Sequence, residues 1–309
     1  MNEEIINQIC NEVFQKEPVE IIRNTVGLAA YVYTVCIDNV KYVIKTSDDK
    51  NLIAGSTYWL HKIKDLDIPT PKVIAENVTK APYYFVMSFI PGKDLGIVYS
   101  KLSKDEKKAI AKKIIKYQKE IKKLSCAEGF GSLNSYEDFE NRKASWEENI
   151  LCDIQRAENG ISKNKIFSTD YIQRLKKLIP LYSDYFSTIK PEPFLDDITT
   201  KNVLIEHGKL SGIIDLDWIT FGDEVYFLGL VTMALLSMNA DLDYAEYLKQ
   251  EMCLNEQQAK VLNLYVLVFC VIFMSEKGER FNQNEQIAVS EEEKNRLERI
   301  FEEYYKRMF

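Results

Sequence analysis

The sequence predicts an α+β protein of two lobes, a small N-terminal lobe built on an antiparallel sheet and a larger, mainly helical C-terminal lobe. Three observations carry that expectation. Residues 19 to 46 are dense in Val, Ile, Tyr and Thr, the residue types that suit a pleated, half-buried surface. From residue 103 onward, apolar residues recur at helical spacing through most of the chain. Between these regimes, Pro91-Gly92 ends an apolar strand-like run. The expected boundaries are therefore residues 1–91 and 92–309.

The elements follow in order. Residues 3 to 15, EEIINQICNEVFQ, have the spacing of a short amphipathic helix. VEIIRNTVGLAAYVYTVCIDNVKYVIKT then reads as strands, with Asp38-Asn39 as a hairpin turn and Gly27 in the first connection. Residues 51 to 65 read as a helix, IPTPKVI returns the chain to extended form, and YYFVMSFIPG is a further strand. Ser103 caps a helix over 103 to 124 that has an apolar stripe and a lysine-rich, solvated outer face. KLSGIIDLDW can form a strand ending in acids, FGDEVYFLGLVTMALLSM turns into an apolar helix, and the last seventy residues are helical. YVLVFCVIFM, 265 to 274, is about half the length of a membrane span and reads as a buried core helix.

Composition narrows the function classes. A net charge of −7 argues against a nucleic-acid binder held by phosphate contacts and is compatible with a cationic small substrate. Six scattered cysteines without CxxC spacing, and two histidines, argue against a zinc site or disulfide framework. The N-terminus lacks the basic and apolar regions of a signal peptide. The expectation is a cytoplasmic monomer with no membrane partner.

Chemistry concentrates in FLDDITTKNVLI, 194 to 205, and in GIID, 212 to 215. Asp197 and Asn202 are separated by four residues across a loop, and a short hairpin brings Asp215 back beside it after thirteen residues. Two carboxylates and a carboxamide suit phosphoryl transfer. One carboxylate orients the attacking hydroxyl, while the asparagine oxygen and the other carboxylate hold Mg²⁺ on nucleotide phosphates.

This constellation resembles the aminoglycoside phosphotransferase family, within the protein-kinase-like fold. The family's H-G-D-x-x-x-x-N loop, its I-I-D and its Gly-Asp turn correspond to Leu195-Asp196-Asp197, Asn202, Ile213-Ile214-Asp215 and Gly222-Asp223. The resemblance runs from about Ile21 to Gly229. It implies that Asp197 is the catalytic base, that Asn202 and Asp215 are metal ligands, and that ATP or GTP is the donor. It further implies that Lys45 in YVIKT contacts the α/β-phosphates, near the Gly27 turn. Met87 would sit behind the adenine, with the backbones of Ser88 and Ile90 reading its edge. Residues 1–91 would then be the nucleotide-binding lobe, and 92–309 would carry the catalytic loop and acceptor site.

The chain departs from the family pattern at several places. Leu195 replaces the loop histidine and Asp196 the glycine, which makes Asp196 a candidate substrate contact. The helix after Lys45 lacks the glutamate that often pairs with the lysine. Ile53, Gly55 and Ser56 stand nearby, so either another acid such as Asp48 or Asp49 compensates or Lys45 is held less firmly. Lys201 could approach the transferred phosphate. Glu147, Glu148, Asp153, Glu158, Asp217 and Glu224 could attract an amino sugar, or could simply be solvated. Tyr136, Trp146, Tyr171 and Trp218 could form a sugar-stacking wall or belong to the core. The reading is a Mg²⁺-dependent kinase of small hydroxyl-bearing molecules, an aminoglycoside-like antibiotic among them. The alternatives are a catalytically impaired nucleotide-binding regulator and a metabolic choline-, homoserine- or sugar-type kinase.

Overall fold

We describe the protein from a computed structural model, which covers residues 3–24, 30–279 and 288–309. Helix α1 (Glu3–Phe14) precedes strands β1 (Glu20–Asn24), β2 (Tyr31–Ile37) and β3 (Val40–Ser47). Helix α2 (Lys50–Ile63) and strands β4 (Val73–Asn77) and β5 (Tyr83–Ser88) complete the N-terminal part. The five strands form one antiparallel sheet in the order β1-β2-β3-β5-β4. Asp38 and Asn39 have φ of 50° and 63°, the left-handed pair that matches a two-residue hairpin to strand twist. One face of α1, led by Ile6, Ile9 and Cys10, closes over Tyr33, Val35, Ile44, Tyr84 and Val86.

The C-terminal part opens with β6 (Lys93–Asp94), α3 (Leu95–Val98) and α4 (Lys104–Ile121). Ser103 and Glu106 form a capping box at the start of α4, satisfying donors the helix cannot satisfy itself. Next come β7 (Gly131–Leu133), α5 (Trp146–Asn164), α6 (Asp170–Leu178), α7 (Ser183–Ser187) and β8 (Pro193–Phe194). Strands β9 (Val203–Glu206), β10 (Lys209–Ile213) and β11 (Ile219–Phe221) precede α8 (Val225–Ser237), α9 (Asp243–Met252), α10 (Glu256–Glu276) and α11 (Glu291–Lys306). Two three-stranded sheets, β10-β9-β6 and β7-β11-β8, lie among the helices.

The apolar run at 265 to 274 is one part of α10, which has 21 residues and is long and apolar enough to cross a membrane by length and composition. It is instead enclosed by α5, α8 and α11, and burial on nearly every side explains its lack of a polar face. All six cysteines are free thiols.

The N-terminal sheet is docked on the helical part through α2. Trp59 is fully buried, and its Nε1–H donates to the Leu133 carbonyl of β7 at 2.6 Å. Its ring meets those of Tyr136 and Phe221 at 5.3 and 5.9 Å between centroids. Ile53, Trp59, Leu60, Ile63, Phe85 and Met87 thereby join a core continuous with that of the helical part.

Candidate active site

The loop after β8 is braced from both ends. Leu195 is buried, and the Gln118 side chain of α4 accepts from its N–H at 2.9 Å while donating to its carbonyl at 2.7 Å. A buried amide that meets both backbone groups of one residue fixes where the next residue starts. Leu195 therefore fills its position as a packed, backbone-anchored residue.

Asp196 turns its carboxylate inward. Oδ1 and Oδ2 lie 3.1 and 3.2 Å from the Trp218 Nε1–H, and Oδ1 also accepts from the Asp197 N–H at 2.9 Å. Burial raises its pKa above the ordinary aspartate value against these hydrogen bonds. As a candidate substrate contact, Asp196 is already engaged on the protein side.

Asp197 is half-buried in the loop. Burial first, then the neighbouring Asp196 and Asp215 charges, pushes its pKa up to about 8. Thr199 donates to its Oδ1 at 3.1 Å, which opposes the rise. Buried Asn202 donates its Nδ2–H to the Asp197 carbonyl at 2.9 Å, leaving Oδ1 as the acceptor end of that amide.

The β9–β10 hairpin delivers Asp215. His207 and Gly208 turn with φ of 48° and 72°, and Gly208 lies so close to the Glu106 carboxylate that a Cβ would strike it. The returning strand ends with the Ile214 N–H donating to the Asn202 carbonyl at 3.0 Å, which locks the two segments together. Asp215 itself adopts φ 64°, an uncommon conformation for a non-glycine residue and one that projects its side chain out of the strand direction.

Lys45 of β3 reaches the same place from the other lobe. It is 4% exposed, and its Nζ lies 2.5 Å from Asp215 Oδ1 and 2.5 Å from Asp217 Oδ1. Burial favours loss of its proton, but the Asp217 and Asp215 carboxylates outweigh burial and hold its pKa above the ordinary lysine value. Asp217 also accepts from Ser56 Oγ of α2 at 2.5 Å. The expected substitutes for a helix glutamate lie elsewhere: Asp49 caps α2 through the Asn51 N–H at 2.9 Å, and Asp48 is exposed. Sequence reading missed Asp217 as the lysine's partner because that pairing spans 172 positions.

Met87 is buried on β5 opposite Val43 and Val73, next to Ser88, whose N–H donates to the Lys72 carbonyl at 2.9 Å. Half-buried Ile90 lies over Gly212, where an added Cβ would approach its side chain to 2.7 Å. Gly27 lies outside the described residues.

Most of the acids considered for a cationic acceptor are engaged internally. Buried Asp153 pairs with Arg156 and accepts from Tyr226 Oη at 2.6 Å. Glu148 accepts from the Ala144 N–H at 2.8 Å, and Glu158 pairs with Lys176 at 2.6 Å. Glu224 pairs with Lys122 at 2.9 Å. Trp146 is core, with Nε1 donating to Tyr265 Oη at 2.7 Å, and Tyr171 packs edge-on to Phe301. Tyr136 belongs to the Trp59 cluster, and Trp218 is half-buried beside Asp196.

Lys45 pairs with Asp215 and Asp217, while Asp197 lies close enough to Asp196 and Asp215 for their charges to oppose its ionisation. Hard oxygen donors in such excess fit a divalent cation such as Mg²⁺. Among the described residues, no group of three or more His, Cys, Asp or Glu encloses a metal by itself. A cation here would therefore be held by Asn202 and Asp215 together with ligand oxygens.

The model of the phosphotransferase enzyme family matches residues 21–261, reaching past Gly229 into α10. No curated protein sequence matches the chain. Among solved structures, the apo form of a thermostable mutant of aminoglycoside phosphotransferase APH(4)-Ia aligns with a TM-score of 0.68 at 14% identity, covering 96% of this chain and 98% of that one. ADP-bound APH(2'')-Ib aligns at 0.65 and 14% identity over 100% of both chains. The gentamicin complex of APH(2")-IIa aligns at 0.67 and 16% identity over 100% of this chain and 99% of that one. The bilobal, kinase-like fold expected from the sequence is thus the fold observed, and the chain belongs to the phosphotransferase enzyme family.

Proposed function

We propose that the protein is a Mg²⁺-dependent small-molecule kinase that moves the γ-phosphoryl of ATP or GTP to a hydroxyl of its acceptor. The observation that carries this reading is the lock between loop and hairpin. The Ile214 N–H bonds the Asn202 carbonyl and the Asn202 Nδ2–H bonds the Asp197 carbonyl, so loop and hairpin are tied to each other, with Lys45 bonded to Asp215. Asp197 orients the acceptor hydroxyl and takes its proton, a role suited by a pKa near the working pH. Lys45 binds the donor's α/β-phosphates, while Met87 and the backbones of Ser88 and Ile90 flank the base. Asn202 and Asp215 hold the metal, which when bound neutralises charge developing on the transferred phosphoryl.

The acceptor class has two readings. The neighbouring structures include complexes with hygromycin B, gentamicin and streptomycin, which favours an amino sugar. The internal pairing of Asp153, Glu148, Glu158 and Glu224 removes most of the expected acidic lining and favours a less cationic alcohol, as in choline- or sugar-type kinases. A thermal-shift screen of ATP and GTP, with and without Mg²⁺, against aminoglycosides, macrolides, choline and sugars separates them. A true ligand at a hundred times its Kd adds about 2.7 kcal/mol of apparent stability. Turnover on the best acceptor is then expected to fall about 10²–10⁴-fold in Asp197→Ala. Full turnover by that variant refutes the assignment, and Mg²⁺-dependent nucleotide binding with no turnover on any acceptor favours a regulator.

A further inference from the structure

We propose that Asp217, fixed by Ser56, is the positioning residue that keeps Lys45 aimed at the donor phosphates, in place of an acid on α2. The inference rests on the reading of Lys45 as the phosphate-binding lysine. Helix α2, KNLIAGSTYWLHKI, contains no Asp or Glu, so it offers Lys45 no carboxylate. It offers Ser56 Oγ, which donates to the same Asp217 Oδ1 that accepts from Lys45. Gly55 makes this approach feasible, since a Cβ there would lie 2.6 Å from the Asp217 backbone oxygen. Helix α2 and the backbone at Asp217 therefore pack at this distance only with a hydrogen atom at position 55.

The two acids on Lys45 differ in what they can do next. Asp215 has a side chain 45% exposed and faces the proposed metal position, whereas the Asp217 side chain is 9% exposed and already holds two donors. When Asp215 turns to a cation, Asp217 remains to hold the ammonium. The same short segment carries Trp218, whose Nε1–H reaches the Asp196 carboxylate beside the catalytic loop. Residues 215 to 218 thus set the metal ligand, the lysine and the loop from one backbone stretch. Lysine placement is thereby tied to the helical part rather than to an acid on α2.

The test is calorimetric titration of the full chain with ADP, with and without Mg²⁺. Asp217→Asn is expected to raise the Kd about tenfold under both conditions, about 1.4 kcal/mol. Asp215→Asn is expected to weaken binding only when Mg²⁺ is present. Ser56→Ala should follow the Asp217→Asn pattern at about threefold, and it decides the matter where Asp217→Asn fails to fold. A folded Asp217→Asn or Ser56→Ala that binds like wild type in both conditions overturns the proposal, as does a loss confined to Mg²⁺. Wild-type protein that binds no nucleotide overturns the nucleotide-site reading itself, a distinguishable result.

Discussion

Asp197 illustrates a stability cost placed at the proposed reacting centre. Its pKa of about 8 lies above the usual 3.8 because burial and two neighbouring carboxylates oppose ionisation. A carboxyl whose pKa is raised by folding stabilises the fold fully below pH 3.8, and that contribution is lost as pH rises through about 8. Asp197→Asn removes the charge while keeping the shape. In the metal-free protein it is expected to raise the melting temperature at pH 8.5 by roughly 2–4 °C, about 1 kcal/mol, and to have little effect at pH 5. Melting curves at the two pH values check this, and a larger gain at pH 5 would contradict the environment described. Added Mg²⁺ and nucleotide should shrink the difference, because a bound cation compensates the same charge.

At the scale of elements, the loop depends on neighbours far along the chain. Gln118 of α4 satisfies both backbone groups of Leu195, so Gln118→Ala leaves two buried polar groups unpaired. The expected loss is about 2–4 kcal/mol in denaturant unfolding, together with lower turnover from a misplaced Asp197. Helix α2 depends on Gly55 in the same way. Gly55→Ala puts a Cβ against the backbone at Asp217 and is expected to cost about 1–3 kcal/mol, although alanine favours helices in isolation. An alanine variant as stable as wild type would show that α2 can shift away from the 215 to 218 segment.

At the scale of the molecule, the division at residue 91 follows the chain more closely than it follows the core. Seven buried apolar residues of the N-terminal part, Ile53, Trp59, Leu60, Ile63, Ile68, Phe85 and Met87, pack into the core of the helical part. Residues 1–91 alone would expose them, and that fragment is expected to show no cooperative thermal transition by circular dichroism. A sharp transition would establish an independently folding N-terminal domain. Trp59→Ala, by opening a cavity where the two parts meet, is expected to destabilise the whole chain by about 3–5 kcal/mol.

Local signals were enough for the elements and for the reaction class. The Asp38-Asn39 turn, the Ser103 cap and the strand-rich start are written in short-range residue choices, and structure follows them closely. The spacing of Asp197, Asn202 and Asp215 was legible because a hairpin converts thirteen residues of sequence into adjacency. The length of α10 was not, because its flanks are polar and only enclosure by three helices shows why so apolar a helix continues. The same limit applied to the charges. Sequence shows that Asp153, Glu158 and Glu224 are acidic, but only the fold shows the tyrosine, arginine and lysines that occupy them. Lys45 is the clearest case. Its sequence position marked it as a candidate, but its partner Asp217 lies 172 positions further along the chain. Packing between lobes chose that partner, since an ion pair depends on distance in space and the sequence records only distance along the chain.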